Sequence, residues 1–170
     1  MRLRSYIAIA ALLLLASCTP KHALMITKDK DGSRMIVGTA QRSMLHDAAF
    51  SWFDRGYSAY KPTTAPLAVI RGQAPTLHIE VFGGTWCDDT HDLLPRFYKV
   101  ADATGISDAQ VTLHLVGRDK KTKDGSADRY HITNVPTFVV IKAGKEIGRI
   151  TESVKKSMEA DLAEILTDKD

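Results

Sequence analysis

Between Leu77 and Phe82 the chain alternates, with Leu77, Ile79 and Val81 on one side and His78, Glu80 and Phe82 on the other. With its β-branched content this pattern predicts a buried strand. Gly83 and Gly84 end it. From Asp88 onward Leu93, Leu94, Phe97, Tyr98 and Val100 recur near helical spacing, so a helix opens at or just after Cys87 and stops at Gly105. Ahead of this junction, Leu24–Lys28 and Met35–Thr39 flank the turn residues Asp29-Lys30-Asp31-Gly32-Ser33 and predict a β-hairpin. Met44 to Tyr60 carries Leu45, Ala48, Ala49, Trp52 and Phe53 at helical spacing, expected as one broken or two short helices around Gly56, and Leu67–Gly72 adds a short helix. Beyond it, Val111–Val116 alternates as a second strand. Phe138–Ile141 and Glu146–Ile150 predict a hairpin across Ala143-Gly144-Lys145, and Val154–Leu166 an amphipathic closing helix.

The 170 residues are enough for one full core. The first seventeen are expected to lie outside it: Arg2 and Arg4 precede an apolar run from Tyr6 to Ala16, a secretory signal whose hydrophobic part is too short for a good spanning helix. The run ends in Leu15-Ala16-Ser17-Cys18, which resembles the bacterial lipobox; the resemblance implies cleavage before Cys18 and lipidation of that cysteine. Residues 18–23 then read as a tether, 24–63 as an extension packed on the main domain, and 64–170 as that domain. Removing the leader takes two of the 23 basic side chains and none of the 20 acidic ones, leaving 21 against 20. So balanced a chain offers no reason to invoke nucleic acid. Cys18 and Cys87 are the two cysteines; with Cys18 lipidated, Cys87 is the sole thiol of the mature protein and no internal disulfide can form.

Cys87 is therefore the centre of the candidate chemistry. A thiol at a helix start faces unpaired backbone N–H groups and the positive end of the helix dipole, which favour the thiolate, the form that attacks disulfides. Trp86 is expected as a partly exposed ring flanking it. His91 lies one turn further on the same helix face, where its protonated form would stabilise a thiolate. Asp88 and Asp89 suit a helix N-terminus but oppose the thiolate through like charge and would repel anionic glutathione. Adjacent residues on one helix cannot all converge on an ion, so no metal is expected here; His46 lacks ligand partners, and Asp29–Gly32 lacks the twelfth-position glutamate of a calcium loop. Arg118–Arg129, with five basic and three acidic side chains, reads as a solvated loop that beside a catalytic cleft could orient a partner.

The order helix, strand, central helix with an N-terminal cysteine, strand, connection, proline, hairpin, helix resembles the thioredoxin fold, a three-layer α/β/α architecture. The resemblance rests on Trp86-Cys87, on Pro95 eight residues after the cysteine, on Val135-Pro136 as the counterpart of the family's cis-proline, and on Tyr130-His131-Ile132 leading into it; it spans about Ala65 to Leu166. It implies that Val135 presents its backbone to an extended substrate strand opposite Cys87. Three departures matter. Thr90 replaces the family's second cysteine; the family's buried acid aligns with Val81, so that Glu80 faces the other side of the strand; and Glu152 stands where the family often has a glycine on the substrate cleft. In these features the chain resembles thioredoxin-like lipoproteins with Gly-Thr-Trp-Cys-x-Asp-Ser/Thr more than thioredoxin proper. The resemblance implies a monothiol thiol-disulfide oxidoreductase, needing no cofactor, that acts on protein or small-molecule thiols and disulfides and depends on an external thiol or reductase for resolution. Helical spacing places Thr90 one turn from Cys87, where its hydroxyl could donate a hydrogen bond to the sulfur. Cys87, Trp86, Thr90 and His91 would be catalytic, and Val135, Pro136 and Glu152 would bind substrate. The alternative is a redox-inactive module holding peptides or a partner in the same groove. The lipobox and Thr19 after Cys18 imply the bacterial cell envelope, on the outer membrane facing the periplasm.

Overall fold

The computed structural model describes residues 24–167, so the signal segment, Cys18 and the tether lie outside the described residues. Six strands form one sheet in the order β1-β2-β4-β3-β5-β6. β1 (Met25–Lys28) and β2 (Arg34–Ala40) are the expected hairpin, and β2 continues into the sheet antiparallel to β4 (Val111–Leu115). β3 (Leu77–Gly83) runs parallel to β4, with Val81 opposite Leu113 and Phe82 opposite His114. On its other side β3 pairs antiparallel with β5 (Thr137–Lys142), which turns into β6 (Lys145–Thr151).

The strand alternation decides what each face of the sheet buries. Ile79, Val81, Leu113, Leu115, Phe138 and Val140 point into the main core, which is filled from α1 (Trp52–Ala59), α2 (Thr64–Gln73), α3 (Asp88–Thr104) and α5 (Met158–Thr167). Phe82, Val139 and Ile141 point the other way, into a smaller cluster completed by Val116, Ala127 of the short α4 (Ser126–Arg129), and Val135. This is the expected α/β/α layering. The smaller layer holds the site.

Two local expectations need correction. Gly56 does not break a helix: it sits inside α1, and the interruption lies upstream, where Asp47 accepts the Ala49 N–H at 2.9 Å between two 3₁₀ turns, Arg42–His46 and Ala48–Phe50. A side chain at Gly56 would place its Cβ 2.6 Å from Pro95 Cγ, so the glycine lets α1 close on the proline of α3. The last helix starts at Met158 rather than Val154, because Asp161 reaches back to accept the Lys155 and Lys156 N–H groups at 2.6 and 3.1 Å and holds that stretch out of helical register. Nearby, the buried Glu159 accepts from the Tyr60 hydroxyl at 2.5 Å and from Thr63 N–H and Oγ1 at 3.1 Å each, tying the connection into α2 onto α5.

Candidate functional site

Cys87 is the N-cap of α3, in extended backbone conformation, with the acidic Asp88 and Asp89 in the first turn. Its own N–H donates to Gly84 O at 2.9 Å, closing a tight turn out of β3, and the His91 N–H donates to the Cys87 carbonyl at 3.0 Å, the first bond of the helix. The thiol is half-buried and unbridged, and Sγ lies 3.3 Å from the carbonyl oxygen of Val135, to which it donates. The Val135-Pro136 peptide bond is cis. The two segments that the sequence resemblance paired therefore meet.

Trp86 is half-buried beside the thiol, and its Nε1–H donates to Val116 O at 2.9 Å. The ring lies directly over Gly84, where a Cβ would come within 2.7 Å of the indole; this close approach is why a glycine stands there. Thr85 Oγ1 accepts the Ile36 N–H at 3.2 Å and so fastens the turn to β2.

Thr90 and His91 sit where expected along α3 but are engaged differently. Thr90 is 0% exposed, and its hydroxyl accepts the Gly84 N–H at 3.1 Å rather than serving the sulfur. His91 turns away from Cys87: its ring stacks on Trp52 of α1 at 4.3 Å, Nε2 donates to Thr85 O at 2.8 Å, and Nδ1 lies 3.7 Å from the Asp88 carboxylate. Both residues brace the turn that carries the thiol, because neighbouring backbone groups and an aromatic face offer them closer partners than the sulfur does.

Glu152 lies beside Pro136, its N–H donating to Pro136 O at 2.8 Å and its carboxylate accepting from Asn134 Nδ2 at 2.8 Å. Its backbone is left-handed, φ +57°, a conformation glycine adopts without strain. Glu152 thus occupies a position suited to glycine.

Beneath the site, the Glu80 face of β3 carries a polar array. Glu80 accepts from His114 Nε2 at 2.7 Å and lies 3.2 Å from His78 Nε2; Phe82 stacks on His114 at 4.6 Å. Ser126 Oγ lies 3.4 Å from His114 Nδ1, which gives the outline of a Ser-His-Glu triad. Ser126 is 1% exposed and its hydroxyl is committed to Asp124 at 2.7 Å, so it has no access to a substrate. The array is structural. Burial pushes the Glu80 carboxyl up, but the His114 hydrogen bond and the charges of His114 and His78 outweigh it and hold the carboxyl below its usual value. A depressed carboxyl contributes stability above its unfolded pKa and loses it as pH falls through the lower, folded value. Glu80→Gln should therefore destabilise the fold by about 1 kcal/mol at neutral pH, with the gap to wild type closing below the ordinary glutamate range. Thermal melts of both proteins from pH 7 downward check this, and a gap that widens on acidification would be the wrong sign.

Sequence reasoning placed Arg118 in a charged loop able to orient a partner beside a cleft, but did not single it out or pair it with Asp29. Arg118 Nε and Nη2 donate to Asp29 Oδ1 and Oδ2 at 2.8 and 2.6 Å, across 89 residues, and the guanidinium lies 4.8 Å from the Trp86 ring centroid. Each looked like a solvated turn residue. Nothing local to either signals the other. No cluster of His, Cys, Asp and Glu that could hold a metal ion occurs among the described residues.

Residues 70–167 match the thioredoxin family model. This chain belongs to the thioredoxin family. Thioredoxin H2 of Arabidopsis thaliana is 29% identical over 84 residues, 49% of this chain and 59% of that protein, so the thioredoxin-family chain matches about three fifths of this relative's length. Among solved structures, Fasciola hepatica thioredoxin is similar at 26% identity, covering 61% of this chain and 89% of that one with a TM-score of 0.40. A Pseudomonas aeruginosa protein of unknown function is similar at 15% identity, covering 76% of this chain and 84% of that one, with a TM-score of 0.47.

Proposed function

We propose that this thioredoxin-family chain carries out thiol-disulfide exchange as a monothiol through Cys87. The observation that carries the reading is the 3.3 Å approach of Sγ to the Val135 carbonyl, which sets a half-buried thiol against backbone that an extended substrate segment would pair with. The Cys87 thiolate attacks one sulfur of a substrate disulfide; the Cys87-substrate S–S bond forms as the substrate S–S bond breaks, and the expelled thiolate takes a proton from solvent. Release requires a second thiol from outside the chain, a small-molecule thiol or a reductase, which as thiolate attacks the substrate sulfur of the mixed disulfide; a new S–S bond joins it to the substrate as the Cys87–substrate bond breaks, and Cys87 leaves as thiolate. Thr90 cannot play that part. No cofactor enters either step.

Incubation with a disulfide-bonded model peptide should give a covalent adduct that runs as a slower band on non-reducing gels, vanishes with reductant and is absent in Cys87→Ser. Failure of the wild type to form it would remove the exchange reading. It would leave the peptide-binding module, which the Glu152–Asn134 hydrogen bond bordering Pro136 favours by shaping the groove without chemistry.

The site is further proposed to work at a bacterial outer membrane, facing the periplasm, tethered through acylated Cys18. Support comes from Leu15-Ala16-Ser17-Cys18 and the preceding apolar run. Fractionation of Cys18→Ala should move the protein out of the membrane fraction and abolish lipid labelling; a variant that stays bound and labelled refutes the anchor.

A further inference from the structure

We propose that Arg118, held in place by Asp29 of the N-terminal hairpin, is the specificity residue of the Cys87 site and selects substrates that carry a carboxylate next to the reacting sulfur. The inference rests on Cys87 as the reacting thiol.

The geometry starts from the loop that leaves β4. Val116 N–H donates to Gly83 O at 2.8 Å, and the Val116 carbonyl receives the Trp86 indole N–H, so the stretch leading to Arg118 is bound on both sides to the active-site turn. From there the guanidinium lies over the indole face, and its Nε/Nη2 edge is taken by both carboxylate oxygens of Asp29. Such a two-point contact fixes the plane of the guanidinium as well as its place. The Asp29 side chain is 6% exposed while that of Arg118 is 47% exposed: the acid is covered by the pair, and the cation keeps a face to solvent beside the indole. Nη1 has no acceptor among the described residues and is available to a ligand. The guanidinium and the thiol border the same indole, since Trp86 precedes Cys87 in the chain and both pack against the smaller cluster.

The surroundings of Cys87 are thereby polarised. On the helix side stand the exposed Asp88 and Asp89, with His91 held onto Trp52 and the Thr85 carbonyl and its Nδ1 3.7 Å from the Asp88 carboxylate. Across the indole stands Arg118. A substrate segment crossing the thiol meets acid at one end and a guanidinium at the other, so an acidic side chain is favoured on the Trp86 side and disfavoured on the helix side. The selecting charge comes from the loop after β4, and its anchor from the hairpin that precedes the region matched by the family model.

Two alkylating agents of nearly the same size, iodoacetate and iodoacetamide, differ in charge, and the ratio of their rates at Cys87 cancels the intrinsic reactivity of the thiol. Labelling of the Cys87 peptide is followed by mass spectrometry in wild type, Arg118→Gln, Arg118→Lys and Lys123→Gln. Arg118→Gln should lower the iodoacetate-to-iodoacetamide ratio by about 3- to 10-fold at low salt, the size expected of one unit charge within about a Debye length of the sulfur. Arg118→Lys should restore part of it, and Lys123→Gln, an equal charge change in the same loop, should leave it near the wild-type value. An unchanged ratio in Arg118→Gln, or an equal drop in Lys123→Gln, overturns the proposal. In a second arm two peptide disulfides differing only in Glu or Gln beside the cysteine are compared: wild type should form the mixed disulfide faster with Glu, and Arg118→Gln should lose that preference. Equal rates with both peptides in wild type overturn the substrate assignment, whereas an Arg118-dependent alkylation ratio with no adduct from either peptide keeps the charge-selecting site and removes the disulfide chemistry.

Discussion

Thr90→Cys is expected to raise turnover of a protein disulfide by at least about tenfold, because it converts resolution from an encounter with outside thiol into an attack within one helical turn. The position is prepared for it. Thr90 is fully buried under the active-site turn, three residues after Cys87, with its methyl group against Gly83, where an added Cβ would come within 3.0 Å. Cysteine is smaller than threonine and fits the same space. The cost is the Gly84 N–H bond, which a thiol accepts poorly, about 1 kcal/mol. Wild type should accumulate the Cys87 adduct and turn over only with external thiol. The variant should form an internal disulfide, seen as the loss of two hydrogens by mass spectrometry, and should drive precipitation in a turbidity assay of a reducible protein. Thr90→Ser, which retains the hydroxyl, should behave as wild type. A Thr90→Cys protein that neither closes a disulfide nor gains activity would mean that the cleft around Val135 and Pro136 does not admit a substrate.

Phe82→Ala is expected to cause the largest loss of stability, about 3–5 kcal/mol. Phe82 is fully buried at the end of β3, stacked on His114 at 4.6 Å and set against Tyr130 at 5.8 Å, within the cluster that also holds Trp86, Cys87 and Val135. Truncation removes its buried area, leaves a cavity, and strips the apolar cover from the Glu80–His114 bond. At roughly 2–4 °C per kcal/mol for a chain of this size, the melting temperature should fall by about 10 °C or more. Adduct formation at Cys87 should fall with it, since the floor under the thiol is gone. Phe82→Leu, which keeps most of the volume, should cost about half as much or less. Circular-dichroism melts decide the matter: a loss under about 1 kcal/mol in Phe82→Ala would show that the smaller layer is not a working part of the core.

The elements that were legible beforehand share one property, that their signals are local. Period-two alternation around Ile79 and Val81, helical spacing from Leu93 to Val100, Gly105 at left-handed φ, and the Asp29–Ser33 turn each report what a short segment does with its own backbone. Because strand side chains alternate, the same reading placed Glu80 and Val81 on opposite faces. Where local signals compete, contacts outside the local pattern decide between them. Gly56 looked like a helix breaker until Pro95 supplied the reason for its small size, and Val154 looked helical until Asp161 claimed the backbone amides ahead of the helix.

The sequence by itself determined the strands, the order of the helices and the thiol at a helix start, because periodicity and capping act over a few residues, and its resemblance to the thioredoxin fold implied the proline segment opposite that thiol. Only the tertiary structure decided what surrounds that thiol. His91 is within one turn of Cys87 yet bonds Thr85 and stacks on Trp52, and Arg118, 31 residues beyond Cys87, stands beside the indole because Asp29 holds it there. Side-chain partners are chosen by distance in space and by which acceptors remain unsatisfied, and both are settled only when β2, β4 and α3 have packed against one another.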